Sequence, residues 1–238
     1  MSKALLLHAH SSSPNPIKVS IALQYLQVPY DVQVWEFGND PKNGIEGPAF
    51  SKLTPVGRLP VLEDPNTGVT IWESGAIISY LKRQYDPQKI LGPKDASLQS
   101  AADIEMWELL LLTAIGPMTG QMAWFKFYEP PPTNEPAIAR YKGQVHRYYD
   151  VLERQLAKSG GQSILAGGIT SVDVHCEPWL QRPQFIGISL ERYPNIRHWL
   201  KVMSEQKAFQ DGYQKVKDAT QRPDRFSEDR GVNPWKEV

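Results

Sequence analysis

The chain has 238 residues, enough to bury a sizeable core as one large domain or as two modest ones. Lys plus Arg and Asp plus Glu number 26 each, so no net field draws it to nucleic acid, an anionic membrane or an acidic substrate, and the expected partner is a small molecule. The single cysteine, Cys176, excludes an intramolecular disulfide and fits a reducing cytosol, and no run reaches about 18 apolar residues, so a soluble, cytoplasmic chain is expected.

Residues 4 to 8 form a short apolar run that stops at Ser11-Ser12-Ser13-Pro14-Asn15-Pro16, a cluster that favours a turn and a helix start. Ile17, Ile21, Leu23 and Leu26 then fall mostly at helical spacing, and after Pro29 the segment Tyr30 to Trp35 alternates like a strand. This is a βαβ unit. Phe37 to Gly47 is polar and rich in Gly and Asn, as in a surface loop. Val61 to Asp64 and Val69 to Ile71 flank the turn residues Pro65-Asn66-Thr67-Gly68, which predicts a hairpin, and Ser74 to Tyr85 closes a ββα unit.

After Pro87 and Gly92-Pro93 the texture becomes helical. The expected layout is an N-terminal α/β domain of thioredoxin type with a mixed sheet over 1–86, a linker over 87–96, an all-α domain over 97–222 and a polar tail over 223–238. Helices are expected near 97–127, 135–158, 171–181 and 195–206, with Pro130-Pro131-Pro132 breaking the first pair. Thr170-Ser171-Val172-Asp173 reads as a capping box with Asp in place of Glu, which makes Asp173 a folding residue first.

Leu59-Pro60-Val61-Leu62 and Ile71 to Ile77 carry the most chemistry. Glu73-Ser74, where a strand ends and a helix begins, places a carboxylate, a hydroxyl and helix N–H groups at one point, suited to a ligand with both an amine and a carboxylate. The five histidines show no metal-ligand spacing, and there is no nucleophile elbow or phosphate-cradling loop, so no metal and no nucleotide are expected; His10 lies near the first loop.

Four segments carry a family resemblance: Pro14-Asn15 with Lys18-Val19; Phe50 with Thr54-Pro55 and Arg58-Leu59-Pro60; Ile71 to Ile77; and Gly116-Pro117-Met118-Thr119-Gly120-Gln121 before Phe125. In this order and spacing the chain resembles a glutathione transferase of the fungal class related to the yeast nitrogen-catabolite regulator. The resemblance spans roughly residues 4 to 210 and implies glutathione as the cofactor, a homodimer and an all-helical second half. It also implies a cis peptide at Pro60, with the Leu59 backbone pairing the cysteinyl part of glutathione, Glu73 meeting the γ-glutamyl ammonium and Ser74 its carboxylate. Arg58 and Lys52 are candidates for the glycyl end.

The first loop holds neither Tyr nor Cys, which argues against a tyrosine mechanism and against mixed-disulfide chemistry. Asn15, Ser12 and Ser13 are the candidates to face the thiol, Asn15 because the resemblance places it there; simple helix capping is the competing role. The second substrate, a hydrophobic electrophilic small molecule, is expected between the domains, with Met118, Gln121, Met122, Trp124, Phe125, Lys126 and Trp179 as candidate contacts, although helical spacing also suits each for core packing.

Departures from the family pattern are Thr54-Pro55-Val56, Ile45 at a position where a polar glutathione contact can occur, and Trp124 where His or a smaller residue is common. Two functions therefore stand: a glutathione transferase of fungal secondary metabolism, of gliotoxin or pseurotin type, working by conjugation or by reversible addition that isomerises an alkene; or a non-catalytic interaction protein on the same fold.

Overall fold

The computed structural model describes residues 3–181 and 183–220; the expected tail over 223–238 lies outside the described residues. Four strands, β1 (Leu5–Ala9), β2 (Tyr30–Val34), β3 (Val61–Asp64) and β4 (Val69–Trp72), form one sheet in the order β2-β1-β3-β4. β1 and β2 are parallel, so a crossover must join them, and α1 (Pro14–Tyr25) supplies it. β3 is antiparallel to both β1 and β4. The β3–β4 turn closes through Gly68, whose N–H donates to the Asp64 carbonyl over 2.8 Å at a φ of 75°. α2 (Ser74–Tyr85) follows, with the bounds its pattern predicts.

The register decides what meets at the end of this sheet. His8 pairs with Val61, and Val61 pairs with Trp72. The loop after β1, the Leu59-Pro60 segment before β3 and the Glu73-Ser74 junction after β4 therefore leave the sheet at one end. Beneath them Trp35, Ile45, Phe50, Leu59 and Val61 form a buried apolar cluster.

Contacts divide the described chain into two compact units, one running to Leu91 and resumed at Glu205, the other Gly92–Ser204. The second unit is all helical: α3 (Leu98–Leu110), a π-turn (Leu111–Ile115), α4 (Gly116–Phe127), α5 (Glu135–Ala157), α6 (Ser171–Leu180) and α7 (Pro194–Ser204). The single helix expected over 97–127 is thus three segments. Pro117 has no N–H to return to Thr113, the Thr113 hydroxyl donates to the Leu109 carbonyl over 2.8 Å, and the Gly116 N–H reaches back five residues to Leu111.

The capping box of α6 forms as expected. Fully buried Asp173 accepts from the N–H of Thr170 at 2.9 Å and also from the Ile164 N–H at 2.8 Å and the Trp199 indole at 2.9 Å.

A helix the residue pattern did not announce, α8 (Lys207–Thr220), falls within the 97–222 stretch but packs along α1. Gly212 makes this possible. The Ser20 hydroxyl bonds its carbonyl over 2.8 Å, and Phe209 meets Tyr25 edge-on at 5.9 Å. Among the described residues no helix is long and apolar enough to cross a membrane.

Candidate active site

The first of the three converging segments runs from His10 into α1. Ser13 is the N-cap residue, extended at φ −110° and ψ 126°, yet its side chain makes no capping hydrogen bond. Its N–H instead donates to the His10 carbonyl over 3.2 Å. Pro14 and Pro16 have no N–H, so Asn15 alone of these three helix-start residues has a backbone donor. Asn15 and Ser12 are half-buried.

Ser12 is tied to a residue that sequence reasoning did not place in the site. Its Oγ lies 2.8 Å from Nδ1 of His10, and its own N–H donates to the same nitrogen over 3.2 Å. His10 is 4% exposed and stands edge-on to Phe37 at 4.9 Å. A lone histidine beside a loop has no spacing signature; the only signal was its position two residues before Ser12.

In the second segment the Leu59–Pro60 peptide is cis, as the resemblance implies, and both residues are buried, Leu59 within the apolar cluster. Ile45 belongs to that same cluster, so the position carries packing. Arg58 and Lys52 are exposed, as is Val56, and the Thr54 hydroxyl accepts from the Val56 N–H at 3.4 Å.

The third segment is backbone-strained. Glu73 holds φ 67° and ψ 114°, a region that a residue with a Cβ rarely adopts, and it makes no side-chain cap. Ser74 opens α2 and is buried, while Glu73 is exposed. Neither Ser13 nor Glu73 therefore serves as a side-chain helix cap, which was the competing structural role for Ser13.

His8, on β1, is a buried titratable group next to the start of the first loop. Burial holds the His8 imidazole below its ordinary pKa against the opposing pull of Glu63, whose carboxylate lies 2.8 Å from Nε2.

The remaining candidates lie in the helical unit. On α4, Met122 is buried in the core, Met118 is half-buried and Gln121 is exposed. Trp124 is 45% exposed and meets Phe125 edge-on at 5.0 Å, and Phe125 stacks on Tyr141 of α5 at 5.6 Å. Lys126 is held below its ordinary pKa by desolvation and by the nearby Lys142 charge, and its Nζ lies 3.5 Å from the Phe185 carbonyl. Trp179 packs on the glycines of α4: a Cβ at Gly116 would stand 3.3 Å from its ring. The structure thus groups Trp124 and Phe125 as an aromatic surface and gives Met122 and Trp179 packing contacts.

Residues 12–84 match the family described as Glutathione S-transferase, N-terminal domain, and residues 115–207 match Glutathione S-transferase, C-terminal domain. The Glutathione S-transferase-like protein tpcF of Aspergillus fumigatus is 32% identical over 214 residues, which cover 84% of this chain and 90% of that protein. Protein URE2 of Debaryomyces hansenii is 29% identical over 236 residues, covering 85% of this chain and 75% of that protein. Among solved structures, a glutathione transferase homolog from Lodderomyces elongisporus with two GSH per subunit superposes with a TM-score of 0.80 at 26% identity, covering 89% of this chain and 98% of that one.

Proposed function

The chain belongs to the glutathione S-transferase family, and from that premise we propose that it binds glutathione as its thiolate and adds the sulfur to an electrophilic carbon of an apolar small molecule. The observation that carries this reading is the His8–Val61–Trp72 register, which brings Ser12 and Asn15, Leu59-Pro60 and Glu73-Ser74 to one end of the sheet.

A free thiol with a pKa of about 8.5 is only a few per cent ionised at neutral pH, so the site must favour sulfur anion. Ser12 and Asn15 face the thiol in this reading, with Ser13 beside them. The Leu59 backbone next to Pro60 pairs the cysteinyl unit, Glu73 binds the γ-glutamyl ammonium, and Ser74 with the α2 start binds its carboxylate. Arg58 and Lys52, both exposed, are left for the glycyl end. The strain at Glu73 supports a ligand-binding role, since such backbone persists where a site requires it.

On the helical unit the Trp124–Phe125 surface, with Met118, Gln121 and Lys126, takes the acceptor, and its bulk supports a pathway-specific substrate of fungal secondary metabolism. Conjugation releases the adduct; isomerisation lets it rotate about the new single bond and expel glutathione again. Leu98, Met106 and Leu109, which lie along α3 at 90%, 54% and 56% exposure, support a homodimer.

Calorimetry of glutathione on wild type and Glu73→Ala, with the ultraviolet thiolate band followed in wild type, Ser12→Ala and Asn15→Ala, tests the reading. Binding weakened by Glu73→Ala and a thiolate band lost in either loop variant supports it. Absence of saturable binding to wild type overturns it in favour of an interaction protein on the same fold. Mass spectrometry with an activated alkene then separates adduct release from recycled glutathione.

A further inference from the structure

The Ser12–His10 pair has a defined proton direction. A backbone N–H can only donate, so the Ser12 N–H at 3.2 Å marks Nδ1 of His10 as the unprotonated, accepting nitrogen. The Ser12 hydroxyl, 2.8 Å from that same lone pair, must then donate inward. Its own lone pairs remain to accept a proton from a ligand.

A hydroxyl in this state is a poor donor to a thiolate and a good acceptor from a thiol. The start of α1 compensates little, since Pro14 and Pro16 remove two of its N–H groups. The imidazole is held by burial and by the Phe37 edge, so it keeps its place in the loop. On the neighbouring strands the titratable side chains His8 and Glu63 are joined to each other.

We propose that His10 is the proton acceptor for glutathione activation, acting through Ser12. The S–H bond of glutathione breaks and its proton passes to Ser12 Oγ, while the hydroxyl proton of Ser12 passes to Nδ1 of His10. Sulfur is left as thiolate, Ser12 is again a hydroxyl, and His10 becomes an imidazolium whose Nδ1–H donates to Ser12 Oγ and no longer accepts from the Ser12 N–H. Addition to an activated alkene consumes one proton at the carbon next to the new C–S centre, and the imidazolium holds one. The proposal rests on the glutathione reading above and assigns His10 as a positioning residue that stores the thiol proton.

The readout that a merely structural histidine would not move is the count of protons released to buffer. Glutathione is titrated into the full chain by calorimetry in buffers of different ionisation enthalpy, and the thiolate band is read in parallel. A relay keeps the proton, so wild type releases far less than one proton per thiolate formed. His10→Gln keeps an acceptor for Ser12 but cannot be protonated; it is expected to release about one proton per thiolate and to lose roughly 10²-fold in kcat/KM with little change in KM for glutathione.

Wild type releasing a full proton per thiolate overturns the relay and leaves the glutathione reading standing. Glutathione that binds without a thiolate band removes the relay and thiolate activation together, and no saturable binding removes the whole reading. Should His10→Gln not fold, the wild-type count alone decides.

Discussion

The indole N–H of Trp35 donates to Nδ1 of His8 over 2.8 Å, while Nε2 of the same ring meets a Glu63 carboxylate oxygen at 2.8 Å. Only the neutral imidazole can accept from Trp35 and donate to Glu63 at once.

Its pKa is lowered from 6.5 chiefly by burial, so the unfolded chain takes up a proton that the folded chain resists. The stability this group contributes is whole above about pH 6.5 and is lost as pH falls through the lower folded value. Trp35→Phe removes the donor that demands a neutral Nδ1. It is expected to cost about 1 kcal/mol at neutral pH and to converge with wild type on acidification, as followed by urea unfolding at a series of pH values. Parallel curves would show that Trp35 does not set the imidazole charge.

Glu73 combines a strained backbone with the carboxylate proposed to meet glutathione. Glu73→Ala and Glu73→Gly both remove the carboxylate, but only glycine relaxes a φ of 67°. Both variants are expected to bind glutathione at least about tenfold more weakly, and Glu73→Gly to be more stable than Glu73→Ala by about 1 kcal/mol. Equal thermal stability of the two would remove the strain argument.

Gly212→Ala tests how α8 docks. Alanine is the better helix former by about 1 kcal/mol, but here a Cβ would stand 2.8 Å from Cγ1 of Ile21 and 2.9 Å from its backbone nitrogen. The clash is expected to win, with a net loss of about 2 kcal/mol in denaturant unfolding. A stabilised variant would mean that α8 can move off α1 without cost.

Thr170 and Asp173 share a capping box but not a burden. Thr170→Ala removes a cap, at about 1 kcal/mol. Asp173→Ala also strips the acceptor from Ile164 and from the Trp199 indole, and is expected to cost about 3 kcal/mol or more. Comparable losses in urea titrations of the two variants would mean that water replaces the carboxylate.

Much of the thioredoxin-like half was legible because its signals are local. Pro29 separates the first helix from β2, Pro65 to Gly68 mark the hairpin, and Ser74 to Tyr85 carries a helical pattern straight after a strand. What escaped depends on tertiary neighbours. α8 buries Phe209, Gly212, Val216 and Thr220, a face with two small or polar members, so its periodicity is weak in apolar terms. The π-turn needs a bond across five residues that no composition announces. His10 acquires meaning only when the loop folds its Nδ1 against Ser12, and the sheet register that gathers the site is set by pairing between distant segments.

The return of α8 to α1 also sets an order of events during synthesis. A ribosome delivers about 5–20 residues each second, and the first-made sheet and α1 emerge well before Lys207–Thr220 can cover the face around Ser20 and Ile21. The intervening helical unit can assemble while that face waits. Completion of the sheet-bearing unit therefore waits on a helix made after the intervening helical unit, and a chain that stalls before residue 207 carries the first-loop residues on an α1 that α8 does not yet cover.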